Sequence, residues 1–153
     1  DSNCFTICIR QISESTLKPK VFIFYSLKII MKEEIKNWLK RAEDDLEKAK
    51  ILFEKNKFDG ATFYSQQTAE KALKAVHLFK GLGLTKTHDV SFLGRLVKLP
   101  QELLEKAILL NPFYTASRYP IKIDTEISDN ESANESLNNA EKILKWCKQQ
   151  IKI

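Results

Sequence analysis

From Lys32 to Lys55 the chain keeps one hydrophobic stripe: Ile35, Leu39, Ala42, Leu46, Ala49 and Phe53 recur every three or four residues, widened by Trp38 and Leu52. That period marks an amphipathic helix with one face turned towards a core. Glu33 and Glu34 fall in its first turn, where negative charge suits the exposed amides, and Lys55 falls near its last. Asn56-Lys57 leaves only a short break before a second helical segment, from Phe58 to about Lys80, which stops at Gly81-Leu82-Gly83. Two long helices with so short a connection form an antiparallel hairpin.

Beyond the hairpin the elements shorten. Thr85 or Thr87 can cap a third helix over His88–Lys98, with Val90, Leu93, Leu96 and Val97 as its apolar positions, and Pro100 breaks or restarts the chain. Gln101–Leu110 reads as a fourth helix. Asn111-Pro112 and Tyr119-Pro120 then bracket a short aromatic segment, because the residue before a proline is pushed out of the helical region. Ile121–Ser128 is a polar loop. The last helix runs from Asn130 or Ser132 to about Gln150 and buries Ala133, Leu137, Ala140, Ile143, Leu144 and Cys147 or Trp146. The pattern predicts an all-α fold, an up-and-down bundle of four to five helices built on a long N-terminal hairpin.

Residues 1–30 do not share this pattern. Val21–Ile30 is apolar and rich in strand-favouring residues, but it is interrupted by Lys28 and far shorter than the roughly 20 residues a membrane-spanning helix needs. Lys18, Pro19 and Lys20 do not lead into a small-residue cleavage site of the secretory kind. With Met31 the only methionine, residues 1–30 read as a leader or extension and residues 31–153 as the helical domain. The alternative is a strand or helix from Lys20 to Ile30 that covers the core or a partner.

Composition narrows the function classes. A chain of 153 residues can bury a real core without metal or disulfide staples. The net charge is +5, but past residue 30 the balance is 21 Lys or Arg against 18 Asp or Glu, which argues against a binder driven mainly by phosphate electrostatics. Cys4, Cys8 and Cys147 are too few and too poorly spaced for a disulfide framework and point to free thiols in a reducing compartment. No metal set and no cofactor is expected: with His77 and His88 the only histidines, neither has the company a zinc site requires.

The chemistry that remains gathers on the second helix. Phe63, Gln66 and Glu70 share a face that Lys74 and His77 extend, with Gln67, Lys71 and Lys74 on an overlapping stripe. Read plainly, this is a solvated face with one helix-stabilising Glu70–Lys74 pair, worth about 0.2–0.5 kcal/mol if exposed. Read functionally, two amides and alternating charges offer hydrogen bonds to a partner helix, base or phosphate, while Ala61, Ala69, Ala72 and Ala75 let another helix approach the opposite side. His88, beside Asp89 at a helix start, can donate to a neighbouring carbonyl and fasten the preceding loop; His77 reads as a packing or partner residue. Arg118, set between Tyr114 and Tyr119 and followed by Pro120, suits bidentate recognition of phosphate or carboxylate, or a structural salt bridge.

Three ordered signatures now stand together: Phe63-Tyr64-Ser65-Gln66-Gln67 to Glu70-Lys71-Ala72-Leu73-Lys74-Ala75, then Thr87-His88-Asp89 with Leu93, then Ser117-Arg118-Tyr119-Pro120. In this the chain resembles the HEPN (higher eukaryotes and prokaryotes nucleotide-binding) domain family over about Lys32 to Lys148. The resemblance implies a homodimeric helical bundle in a prokaryotic cytoplasm, often beside a small nucleotidyltransferase-fold partner in a toxin–antitoxin-like pair. It also implies that some members are metal-independent ribonucleases, marked by an arginine and a downstream histidine with four to six residues between them. Here Arg118 is the only match for the arginine, and the histidine positions hold Ile123, Asp124 and Thr125. The expectation is therefore a non-catalytic member that binds a nucleotide, RNA or such a partner through Gln66, Gln67, Glu70, Lys71, Lys74, His88, Arg118 and Tyr119. The alternatives are a divergent ribonuclease using Arg118 with His88 or His77, and a purely structural helical adaptor.

Overall fold

A computed structural model of the protein describes residues 19–116 and 129–152. Among these residues the architecture is all-α, a bundle of five helices: α1 (Pro19–Glu54), α2 (Phe58–Phe79), α3 (Val90–Leu96), α4 (Gln101–Ala116) and α5 (Asn130–Gln150). By its own contacts the chain divides into residues 1–30 and residues 31–153. Of the first unit, the helical run from Pro19 is described, with Leu27, Ile29 and Ile30 exposed. No described helix is long and apolar enough to cross a membrane.

In the second unit, α1 and α2 form the expected antiparallel hairpin. The Phe53 and Phe58 rings meet at 5.8 Å across the turn, and the pairing continues outwards through Asp45 with Lys71 and Trp38 with Lys74. The turn is tight because Asn56 takes a positive φ of 56° and because Gly60 lets the helix pass Leu52, where a Cβ would come within 2.9 Å of a methyl group. Helix α5 lies antiparallel to α1, tied by Lys50–Glu141 at 2.5 Å and by Lys148–Glu43.

Helix α2 is the centre of the bundle. Its Ala69, Ala72, Leu73 and Val76 share one buried cluster with Ala42 of α1, Val90 and Leu93 of α3, Leu110 of α4, and Ile143 and Cys147 of α5. Ala61, Ala69, Ala72 and Ala75 are all fully buried, as the small-residue pattern implied. Burial also pushes the free Cys147 thiol well above its ordinary value, so it is an inert core residue.

Three boundaries differ from the sequence reading. The segment from Lys20 to Ile30 is helical despite its strand-favouring composition. Strand propensity mostly reports packing context, and extending an existing helix adds one hydrogen bond per residue without a new nucleus. Pro19 sits at the first helical position, where its missing N–H costs nothing.

The second difference is at α4, which continues through Asn111-Pro112 to Ala116. Pro112 lacks the N–H that would bond to Ile108, and both residues are on the exposed side of the helix, where water can take the place of the lost bond.

The third is α3, which is shorter than expected and is capped by Asp89 rather than by a threonine. The Asp89 carboxylate accepts from the Phe92 amide at 2.8 Å, and Thr87 instead accepts from the Asp89 amide at 3.1 Å. Asn111, which the sequence placed in a break, braces this cap from α4. Its amide donates to Asp89 at 2.9 Å, and its carbonyl accepts from the Val90 amide at 2.8 Å.

Burial pushes the Asp89 carboxyl up, but hydrogen bonds from Phe92, Ser91 and Asn111 outweigh it, leaving the group below its ordinary value. A carboxyl depressed in the folded state stabilises the fold above its unfolded value, near pH 4, and that contribution is lost as pH falls through the folded value. Asp89→Ala is expected to lower unfolding free energy by about 1 kcal/mol at neutral pH. Urea denaturation at several pH values should show the gap from the wild type closing in acid; a gap independent of pH would exclude the cap as its source.

Candidate functional site

Where α2 passes the loop before α3, one carboxylate gathers four donors. Glu70 is 3% exposed, and its Oε1 accepts from the Lys74 ammonium at 2.8 Å and from His88 Nδ1 at 3.1 Å. Its Oε2 accepts from Gln66 Nε2 at 3.2 Å and from Gln67 Nε2 at 3.4 Å. Helical spacing makes this possible: positions 66, 67 and 74 stand four before, three before and four after position 70, and so overlap with it on one side of α2. His88 arrives from the loop, and Gln66 holds it there by donating a second bond, 3.0 Å, to the His88 carbonyl. Gln67 completes the chain with a 2.7 Å bond to Gln66 Oε1. The His88 ring stacks on Tyr114 of α4 with centroids 4.3 Å apart and 13° between planes.

The polar stripe of α2 is thus turned inwards. Gln66, Glu70 and Lys74 are buried, not spread over a solvated face, and the value for an exposed helical ion pair does not apply to Glu70–Lys74. Burial is tolerable because each group has a partner, and the Lys74 ammonium also lies 5.6 Å from the centre of the Trp38 ring.

Lys71 belongs to a second centre. With Lys48 it is ion-paired to Asp45, a carboxylate only 2% exposed on α1. The hydrogen bond to Asp45 raises the Lys48 ammonium above its ordinary value, and that ammonium lies 5.2 Å from the centre of the Tyr64 ring.

The two histidines exchange the roles the sequence suggested. His77, buried at the end of α2, fastens the glycine-bearing loop through a 2.7 Å contact between Nδ1 and the Gly83 carbonyl. His88 faces a carboxylate instead and keeps 47% of its side chain exposed. The carbonyl that meets a histidine is that of Gly83, and it meets His77, in a loop where Gly81 and Gly83 both take positive φ. Arg118 and Tyr119, together with Cys4, Cys8 and positions 123–125, lie outside the described residues.

Residues 35–150 match the sequence profile of the HEPN domain, spanning every described helix of the second unit. The chain belongs to the HEPN domain family. A protein of Methanocaldococcus jannaschii, named as a candidate toxin, is 34% identical over 134 residues, which cover 76% of this chain and 88% of that protein. Among solved structures, an archaeal HEPN homologue is 37% identical with a TM-score of 0.68, covering 77% of this chain and 98% of that one. A protein of Thermus thermophilus is 29% identical with a TM-score of 0.69, covering 76% and 98%. A HEPN domain protein of Thermotoga maritima is 32% identical with a TM-score of 0.58, covering 74% and 95%.

On this HEPN scaffold the described cluster can position an imidazole; its two α2 lysines are already committed to carboxylates. Asp45, Asn111 and Tyr114 take part in this arrangement without having been singled out. Asp45 had a signal: it falls three residues after Ala42 and four before Ala49, an acid inside the apolar stripe of α1. Tyr114 was read only as a flank of Arg118, because its stack on His88 depends on α4 running past Pro112.

Removing one partner of a buried ion pair leaves the other charge uncompensated. Lys74→Met is therefore expected to cost about 3–5 kcal/mol. Lys36→Met, which breaks the exposed pair with Glu33, should cost no more than about 1 kcal/mol. Equal losses for the two variants in urea denaturation would show that Glu70 is not confined as described.

Proposed function

We propose that this HEPN-family chain is the toxin-like member of a two-protein pair, a homodimer in a prokaryotic cytoplasm. Its His88 surface takes a nucleotide-class ligand or a small nucleotidyltransferase-fold partner. One observation carries the reading: a buried carboxylate, two glutamines and a lysine converge behind a single half-exposed imidazole. Packing alone does not call for such a cluster, since apolar residues of similar size would fill the space at no electrostatic cost. The similarity to the M. jannaschii candidate toxin supports the toxin-like part. Gln67 extends the surface on α2, Arg118 and Tyr119 are its proposed continuation, and Gln66, Glu70 and Lys74 act from inside.

Copurification from the source organism should bring down a nucleotidyltransferase-fold protein or a nucleotide. His88→Ala and Arg118→Ala should each weaken that binding by about ten- to a hundredfold, the size of a lost charged or well-aligned hydrogen bond. Affinities unchanged in both variants would remove this site from the function.

A second reading is favoured by the Glu70–His88 contact, because a carboxylate on one ring nitrogen orients an imidazole for proton transfer at the other. In that reading the chain is a divergent, metal-independent ribonuclease using His88 with Arg118. It predicts RNA cleavage in the presence of a chelator, abolished by His88→Ala and by Arg118→Ala. No cleavage across a panel of unrelated RNAs would exclude it.

A further inference from the structure

The charge and lone pairs of the cluster constrain what His88 shows to a ligand. A carboxylate is an acceptor with about four lone-pair sites, and those of Glu70 are met by Lys74, His88, Gln66 and Gln67. Because Glu70 has no proton to give, the hydrogen between it and His88 resides on Nδ1 of the ring. In the neutral imidazole the opposite nitrogen, Nε2, then carries a lone pair and no hydrogen. Nδ1 meets a buried carboxylate while 47% of the side chain is exposed, which leaves Nε2 as the ring nitrogen not committed to Glu70.

Nothing at Glu70 calls for a second cation. The Lys74 ammonium, 2.8 Å away in a pair that is 7% and 4% exposed, already balances its charge. Lys71, the other lysine of the α2 stripe, is spent on Asp45.

We infer that His88 Nε2 is a hydrogen-bond acceptor presented to the ligand, and that the ligand group seated on it is a donor, a hydroxyl or amino edge of a nucleoside, rather than a phosphate. The inference rests on the reading of the His88 surface as the ligand site and specifies the chemistry of contact there. An acceptor of this kind, once covered by a ligand, discriminates strongly against ligands lacking the donor, because its lone pair is then left unmatched.

The full chain, labelled with nitrogen-15 in its two histidines, tests this directly. Long-range proton–nitrogen spectra at neutral pH, with His88 assigned by its loss in His88→Gln, are expected to show the ring protonated at Nδ1 alone. Adenosine should then shift the Nε2 resonance, and inorganic phosphate at the same concentration should not. A ring protonated at Nε2, alone or together with Nδ1, overturns the inference whatever binds. A shift with phosphate and none with adenosine overturns it while leaving the ligand site in place. No shift with either probe removes the site reading, and the inference with it.

Discussion

The carboxylate of Glu70 sits on the central helix of the bundle, almost wholly out of water, and cannot stay there unpaired. An isolated charge in such a place costs many kcal/mol, so the residues around it are constrained by what they must donate. Lys74 supplies the counter-charge one helical turn on, and Gln66 and Gln67 supply neutral N–H groups one turn back. The remaining donor comes from outside the helix, from His88. That last bond joins scaffold to site: it fixes a loop residue against α2, and Gln66 reinforces it through the His88 carbonyl. Tyr114, delivered by the length of α4, closes the other side of the ring.

Asp45 repeats the theme on α1, where Lys48 and Lys71 neutralise a carboxylate in the middle of an apolar stripe. The two acids divide the lysines of α2 between them, Lys71 for Asp45 and Lys74 for Glu70. Contact with a ligand or partner through this region would have to use the groups left over. Among the described residues these are the imidazole edge of His88 and the side-chain carbonyl of Gln67. Buried ion pairs of this type contribute little net stability against an apolar alternative, but they specify one arrangement, since any other leaves a charge unmatched.

Most of the scaffold was legible because its signals were local. Alternation every three or four residues located α2 and α5, the two-residue break at Asn56-Lys57 implied the hairpin, and the alanines of α2 announced close packing. The misreadings share a different cause, a tertiary partner that overrides a local rule. Asn111-Pro112 looked like a break until Asn111 was seen bracing the α3 cap from within a continuous helix. Gln66, Glu70 and Lys74 looked like a polar surface because single polar residues usually are one; only the convergence of His88 on Glu70 shows that the stripe faces inwards. His88 was the expected fastener of the loop, but the loop of positive-φ glycines brings the Gly83 carbonyl to His77 at the end of α2 instead. The α1 stripe contained an acid in register, and Asp45 was readable there.

The central claim is that Glu70 and Lys74 form one confined unit behind His88, and a double-mutant cycle on that pair tests it most directly. Unfolding free energies would be measured in urea for the wild type, Glu70→Gln, Lys74→Met and the double variant. Two groups that share one buried partnership should be coupled, the double variant losing less than the singles combined by about 1–3 kcal/mol. Losses that simply add, within about 0.5 kcal/mol, would mean that Glu70 and Lys74 do not depend on each other, and the account of the site built on them would fail.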